Sequence, residues 1–176
     1  MLNFGFSNLH YPMDFNEFSI KLAHQITSLS PTKRIAFGLD ICRRLFPDYL
    51  SFFAAYQWGN PEVLKRSMDY INFAMHDEIN EDIVNGLMDE LDIIIPDTEE
   101  FGDFLTSYAI NAACAIWELL EYLLDNDQTH MMHISSLATD TVDYKLQEAD
   151  VSLTAEMLAS HPMLIKEWEY QLAQSS

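Results

Sequence analysis

Two histidines and an aspartate in the second half of the chain have the spacing of metal ligands. His130 and His133 are three residues apart and therefore share a helix face, and Asp127 lies just before them. Imidazole nitrogens together with a carboxylate are the ligands that zinc takes in catalytic sites, so Asp127, His130 and His133 are a candidate site for a metal-dependent enzyme. No second His or Cys pair completes the set, and the Glu-x-x-His motif of di-iron bundles is absent. The metal site is therefore the alternative hypothesis, and the sequence predicts no cofactor.

Acidic residues are concentrated in the middle of the chain. The formal net charge is −19, with 28 Asp and Glu against 9 Lys and Arg, and residues 67–144 contain 18 of the acids and no Lys or Arg. This balance excludes the usual kind of nucleic-acid binder, because phosphate contacts need clustered cations. Six of the acids lie near a helix C-terminus or beside a like charge, where negative charge is unfavourable. They are Asp89, Glu90, Asp92, Glu118, Glu121 and Asp125.

These six acids suggest a docking surface for a basic protein. Charge must be concentrated within the screening length of about 8 Å to attract a partner in physiological salt. The first hypothesis is therefore a non-enzymatic protein that binds a macromolecular partner through an acidic surface from residues 67–144. A solvated face that only keeps the protein soluble is the simpler interpretation. Self-association into a homo-oligomer also stays open.

Other catalytic and targeting signals are absent from the sequence. The five glycines leave little room for a phosphate-binding loop or a dinucleotide fingerprint, and no hydrolase elbow is present. Cys42 and Cys114 lie in apolar helical patterns that are typical of small buried hydrophobes. Residues 1–13 lack the basic leader of a secretory signal, and the longest apolar run, residues 112–117, is too short for a membrane span. We therefore expect a cytoplasmic protein that does not enter a membrane.

The elements that must position these residues are helices. Apolar side chains recur at intervals of three and four along nearly the whole chain, as in Phe18, Leu22 and Ile26. No segment alternates apolar and polar residues for long enough to predict a strand. The sequence predicts an all-α fold: a single domain over residues 1–176, built as a bundle of seven to nine helices around a central Ala-rich helix.

Several residues mark where the helices begin and end. His161 followed by Pro162 predicts the start of the last helix. Asp97 with Glu100 resembles a capping box, which would open the longest helix. Pro47 interrupts an apolar stripe, so it either kinks a helix or starts a new one.

Short segments spread over residues 14–173 carry a family resemblance. They are the runs 33–37, 42–49 with Phe52, 111–115, 141–144, and 161–164 with Glu167 and Gln171. In this order they resemble the YjaG-like bacterial family, number 416 in the domain-of-unknown-function series. The resemblance implies an all-α cytoplasmic bacterial domain without an established activity, and it supplies no catalytic residue. The lack of cations in residues 67–144 is a departure from the family's pattern.

Overall fold

The computed structural model describes residues 13–176, and every regular element in that range is an α-helix. The helices are α1 (Phe15–Ser28), α2 (Pro31–Tyr56), α3 (Pro61–Ala74), α4 (Glu81–Ile94), α5 (Phe104–Asp125), α6 (Thr129–Ala149), α7 (Ala155–Ala159) and α8 (Pro162–Gln174). The predicted all-α, multi-helical domain of seven to nine helices is thereby confirmed. The expectation that the first 13 residues are not a secretory signal lies outside the described residues, except for Met13.

Apolar periodicity and side-chain caps together explain why the helices form where they do. In α1, Phe18, Leu22 and Ile26 are all buried on one face. The carboxylate of Asp14 accepts a hydrogen bond from the backbone N–H of Glu17 at 2.8 Å and so satisfies one of the free donors of the first turn. Serine and asparagine side chains cap α2, α3 and α4 in the same way.

Helix α5 lies at the centre of the domain and packs against α2, α3, α4 and α6. Its small residues Ala109, Ala112, Ala113 and Ala115 are completely buried, which lets neighbouring helices approach closely. Gly38 does the same from α2, because a Cβ atom there would lie 2.9 Å from the Leu119 side chain of α5. On the other side, α6 packs against α8, and α8 packs against α1.

Pro47 neither ends a helix nor starts one. Helix α2 continues through Pro47 and has 26 residues in all. It is longer than α5, the helix that the sequence predicts to be the longest. Proline removes one backbone hydrogen bond from a helix interior. Leu45, Tyr49 and Phe52 are buried around this position, and their packing holds the helix together across the missing bond.

The capping box predicted at Asp97 and Glu100 does not begin α5. Asp97 instead accepts a hydrogen bond from the backbone N–H of Glu99 at 2.8 Å, within a turn. The cap of α5 is Asp103, whose carboxylate accepts from the N–H of Thr106 at 3.0 Å. Both aspartates are good caps in isolation, and the sequence does not distinguish them because the choice depends on how the turn packs.

The start of α8 agrees with the sequence signal. His161 is its N-cap: Nδ1 accepts a hydrogen bond from the backbone N–H of Met163 at 3.2 Å, and Pro162 is the first helical residue. His161 therefore serves as a helix cap. Within residues 13–176, no helix combines the length and the apolar character needed to cross a membrane.

Candidate functional site

A short turn brings the end of α5 against the beginning of α6. Helix α5 ends at Asp125, Asn126 adopts the left-handed conformation with φ 57°, and α6 begins at Thr129. The carboxylate of Asp127 accepts a hydrogen bond from the N–H of Thr129 at 2.9 Å and fixes the turn. Residues that lie equally far from this turn on the two packed helices therefore become neighbours.

His130 is held between two carboxylates of α5. Its Nδ1 atom lies 2.6 Å from Glu118 Oε2, and its Nε2 atom lies 3.1 Å from Asp125 Oδ2. The imidazole is only 12% exposed. Burial alone would lower the pKa of His130, but its hydrogen bonds to the carboxylates of Glu118 and Asp125 outweigh that effect, so the pKa is raised.

His133 reaches the same oxygen from the next turn of α6. Its Nδ1 atom is 3.0 Å from Glu118 Oε2, and Glu121 Oε2 lies 3.7 Å from His130 Nδ1. One ligand atom each from Glu118, His130 and His133 lies within 4.8 Å of the others. We call Glu118, Glu121, Asp125, His130 and His133 the histidine–carboxylate cluster.

Asp127, the carboxylate expected beside the two histidines, is not one of the residues whose ligand atoms converge. Its carboxylate oxygen accepts the hydrogen bond that fixes the turn. Glu118, rather than Asp127, is the carboxylate that lies beside the two histidines. Short spacing along the chain favoured Asp127, whereas the contact with Glu118 spans twelve residues. The polar turn between two amphipathic helices is the signal that could have found it, because an antiparallel pair places the last acids of α5 beside the first histidines of α6.

The cluster carries uncompensated negative charge. It contains three carboxylates, and its cationic contacts come from histidine alone, with no Lys or Arg among the described residues in contact with it. The carboxylates lie near the C-terminus of α5 and the histidines near the N-terminus of α6, so both face the unfavourable end of their own helix dipole. The N–H of Asp127 donates to Asp125 and lowers the pKa of that carboxyl, which stays ionised.

The remaining candidate acids lie at the end of α4. Asp89 and Asp92 are exposed, whereas Glu90 is half-buried and forms a salt bridge with Arg66 of α3. Glu90 is the one acid of residues 67–144 for which the described chain supplies a Lys or Arg within salt-bridge distance. Asp89 and Asp92 thus keep their full charge at a helix C-terminus.

The six candidate acids lie on the last turns of two helices, three on α4 and three on α5. The end of α4 is fixed to α2 by the Tyr49 hydroxyl, which donates to the carbonyl oxygen of Ile94 at 2.8 Å. The acidic end of α5 is fixed to α2 eleven residues earlier, where Leu119 packs on Gly38. Eleven residues of helix span about 16 Å, so the two contact points on α2 are well separated along that helix.

Comparisons with known proteins agree with the fold. The chain is 22% identical over 149 residues to "Uncharacterized protein YjaG" from Salmonella typhimurium, covering 84% of this chain and 76% of that protein. The protein of the same name from Escherichia coli K12 matches with the same identity and coverage. The crystal structure of a DUF416 family protein from Shewanella baltica superimposes with a TM-score of 0.75 and 23% identity, covering 86% of this chain and 80% of that one.

The family assignment rests on a match along most of the chain. The sequence model described as "Protein of unknown function (DUF416)" matches residues 21–174, which include every helix from α2 to α8 and all five residues of the histidine–carboxylate cluster. The resemblance seen in the sequence is confirmed: the chain belongs to the DUF416 family of proteins of unknown function.

Proposed function

We propose that the chain is a metal-binding helical protein, with Glu118, His130 and His133 as ligands of one divalent transition-metal ion. The observation that carries the proposal is the convergence of three ligand atoms of the right chemical types within 4.8 Å. Two imidazoles and a carboxylate form the donor set of open zinc sites, in which a fourth position is left for water or another ligand.

The surroundings of His130 support this assignment. A metal-bound histidine usually donates its second ring N–H to a carboxylate, which orients the ring and makes the bound nitrogen more basic. Asp125 accepts from Nε2 of His130 in this manner, while Nδ1 faces Glu118. Asp125 therefore acts as an outer-shell partner, and Glu121 lies close enough to serve as a fourth ligand.

The charge and dimensions of the cluster also favour a cation. A divalent ion would offset most of the charge of three carboxylates that no lysine or arginine of the described chain contacts. Ligand atoms around tetrahedral zinc are separated by about 3.3 Å. The two distances from Glu118 Oε2, 2.6 and 3.0 Å, would need to widen by only about 0.3–0.7 Å, which small side-chain rotations can supply.

Metal binding is expected to stabilise the protein. Untagged protein stripped with a chelator should take up one zinc or manganese ion per chain and gain roughly 5–10 °C in Tm when the free metal is about a hundredfold above Kd. His133→Ala should abolish most of the gain. This side chain is 59% exposed, so its removal should leave the fold intact.

His76→Ala is the matched control, because His76 is exposed and lies outside the cluster. It should retain the full thermal gain, and Glu118→Gln should lose it. A substoichiometric metal content with no thermal shift, or an equal shift in wild type and His133→Ala, would contradict the proposal.

The acidic end of α4 supports a second candidate function, the binding of a basic protein without catalysis. Asp89 and Asp92 are exposed and lie beside Ile93, which is 75% exposed. Negative charge at the C-terminal end of a helix lowers its stability, and an exposed apolar side chain adds no stability to the fold. Residues that break local rules at a surface are typical of binding sites.

Binding at α4 should depend on salt and on the position of the charge. A basic protein captured at low ionic strength and then titrated directly should bind about tenfold more weakly to the Asp89→Lys, Asp92→Lys double variant. The Glu156→Lys, Glu169→Lys variant makes the same change in net charge at exposed positions on α7 and α8 and should bind normally. If both variants bind the basic protein equally weakly, net charge rather than the position of the charge determines binding.

A further inference from the structure

A second site is an open cavity of about 480 Å³ between the C-terminal half of α6, α7 and the first turns of α8. Phe15 at the start of α1 contributes to its wall. Thr139, its lining residue nearest to the cluster along α6, is six residues beyond His133, or about 9 Å along the helix. The cavity shares no residue with the histidine–carboxylate cluster, and its size is that of a small-molecule site.

Two lining residues have buried polar atoms without a partner. Thr139 is 6% exposed and Trp168 is 1% exposed. Neither the Thr139 hydroxyl nor the indole N–H of Trp168 finds a hydrogen-bond partner within residues 13–176. Most buried polar groups in proteins are paired, because leaving one unpaired costs about 1–3 kcal/mol. Both residues form part of the cavity wall, but their unpaired atoms are buried beneath its surface, so the carboxylates and apolar side chains of the wall are the groups that a ligand contacts.

The charged groups of the wall are both acidic. Asp140 and Asp143 line the cavity, and no Lys, Arg or His is among the lining residues. Gln147 Nε2 donates to Asp143 at 2.9 Å. Burial, together with the negative charge of Asp143, raises the pKa of Asp140, so a positive charge placed here would relieve an unfavourable arrangement.

The rest of the wall is apolar and includes Leu153, Leu158 and Leu164 together with the rings of Phe15 and Trp168. We infer that the cavity binds a small organic amine, with its ammonium group on Asp140 and Asp143 and its apolar body against these side chains. Apolar walls with a few convergent polar groups are the usual form of a metabolite site, and the carboxylates select the charge.

The inference is tested with three probes of matched shape and different charge: phenethylamine, 2-phenylethanol and 3-phenylpropionate, each titrated into the full chain by calorimetry. Phenethylamine should bind one to one, with a Kd of about 1 mM or tighter. The neutral alcohol and the anion should bind at least about tenfold more weakly, because neither forms a charge-assisted hydrogen bond with the carboxylates.

Variants assign the binding to this cavity. Asp140→Asn with Asp143→Asn should weaken phenethylamine binding by about tenfold or more. Asp89→Asn makes the same chemical change on α4 and should leave the affinity unchanged. His133→Ala should also leave it unchanged, so a failure of the metal proposal would not affect this one.

Three results would overturn the inference. They are equal binding of all three probes, an affinity for phenethylamine that survives loss of both carboxylates, and no detectable binding of the amine at concentrations about tenfold above the expected Kd. Thermal unfolding of each variant without ligand distinguishes loss of the site from loss of the fold. Thr139→Val should be at least as stable as wild type, since it removes an unpaired buried hydroxyl.

Discussion

Replacing Gly59 with alanine is expected to destabilise the protein by about 3–4 kcal/mol, although only one methyl group is added. Gly59 has φ 89°, a region that L-amino acids rarely adopt, and its new Cβ would lie 2.3 Å from the Tyr49 hydroxyl oxygen. Tyr49 cannot move aside easily. It is completely buried, donates to Ile94 and accepts from the N–H of Asn60 at 3.4 Å. Equilibrium unfolding in urea measures the loss.

Gly86→Ala is the matched control, because the same change at that position should have the opposite sign. Gly86 lies inside α4, and a Cβ there meets no atom within 4 Å. Alanine should stabilise this helix by about 0.5–1 kcal/mol. In a Tyr49→Phe background, the cost of Gly59→Ala should fall, because the closest clashing atom is gone. A Gly59→Ala protein as stable as wild type would contradict the close contact.

The helices themselves were the part of the fold that the sequence predicted best. The stripe of Phe18, Leu22 and Ile26 became the buried face of α1, since apolar periodicity reports directly on which face must leave water. Pro47 was harder to interpret. Proline destabilises a helix locally, but α2 continues through Pro47 because the packing around it offsets that cost. The packing partners lie far away in the sequence, so the local pattern does not reveal them.

The candidate site was predicted only in part, because its contacts depend on how two helices are paired. The histidines were recognised from their spacing on α6. Glu118 was recognised as an unusual acid on α5, but the contact between Glu118 and His130 requires the register set by the turn after Asp125. The cavity was not predicted, since Thr139 and Trp168 look like ordinary core residues in the sequence and only the structure leaves their polar atoms unpaired.

Contacts between distant residues also hold the fold together, and the ion pair between Arg44 and Glu167 is the principal example. The two residues are 123 positions apart, and Glu167 is 6% exposed. The guanidinium group donates to both carboxylate oxygens, and its carbon lies 4.0 Å from the centre of the Tyr170 ring. Gln171 adds a third hydrogen bond to the carboxylate at 2.9 Å. This network ties α2 to α8.

Arg44→Met is therefore expected to destabilise the protein by about 3 kcal/mol, because it leaves a buried carboxylate without its cation. Methionine retains most of the apolar length of the arginine side chain, so the loss measures the charge rather than the packing. Urea denaturation gives the free energy of unfolding. Lys21→Met is the matched control: it removes the cation of the exposed pair with Glu17 and should cost about 0.5 kcal/mol or less.

The double variant Arg44→Met, Glu167→Met separates the cost of an unpaired charge from the value of the pair. Removing both charges should recover at least about half of the loss caused by Arg44→Met, because a buried pair contributes little net stability over apolar residues of similar size. Gln171 keeps its hydrogen bonds to Ser135, so the double variant leaves the rest of the network in place. A double variant less stable than Arg44→Met alone would mean that the pair itself, rather than the avoidance of a lone buried carboxylate, stabilises the packing of α8 on the rest of the domain.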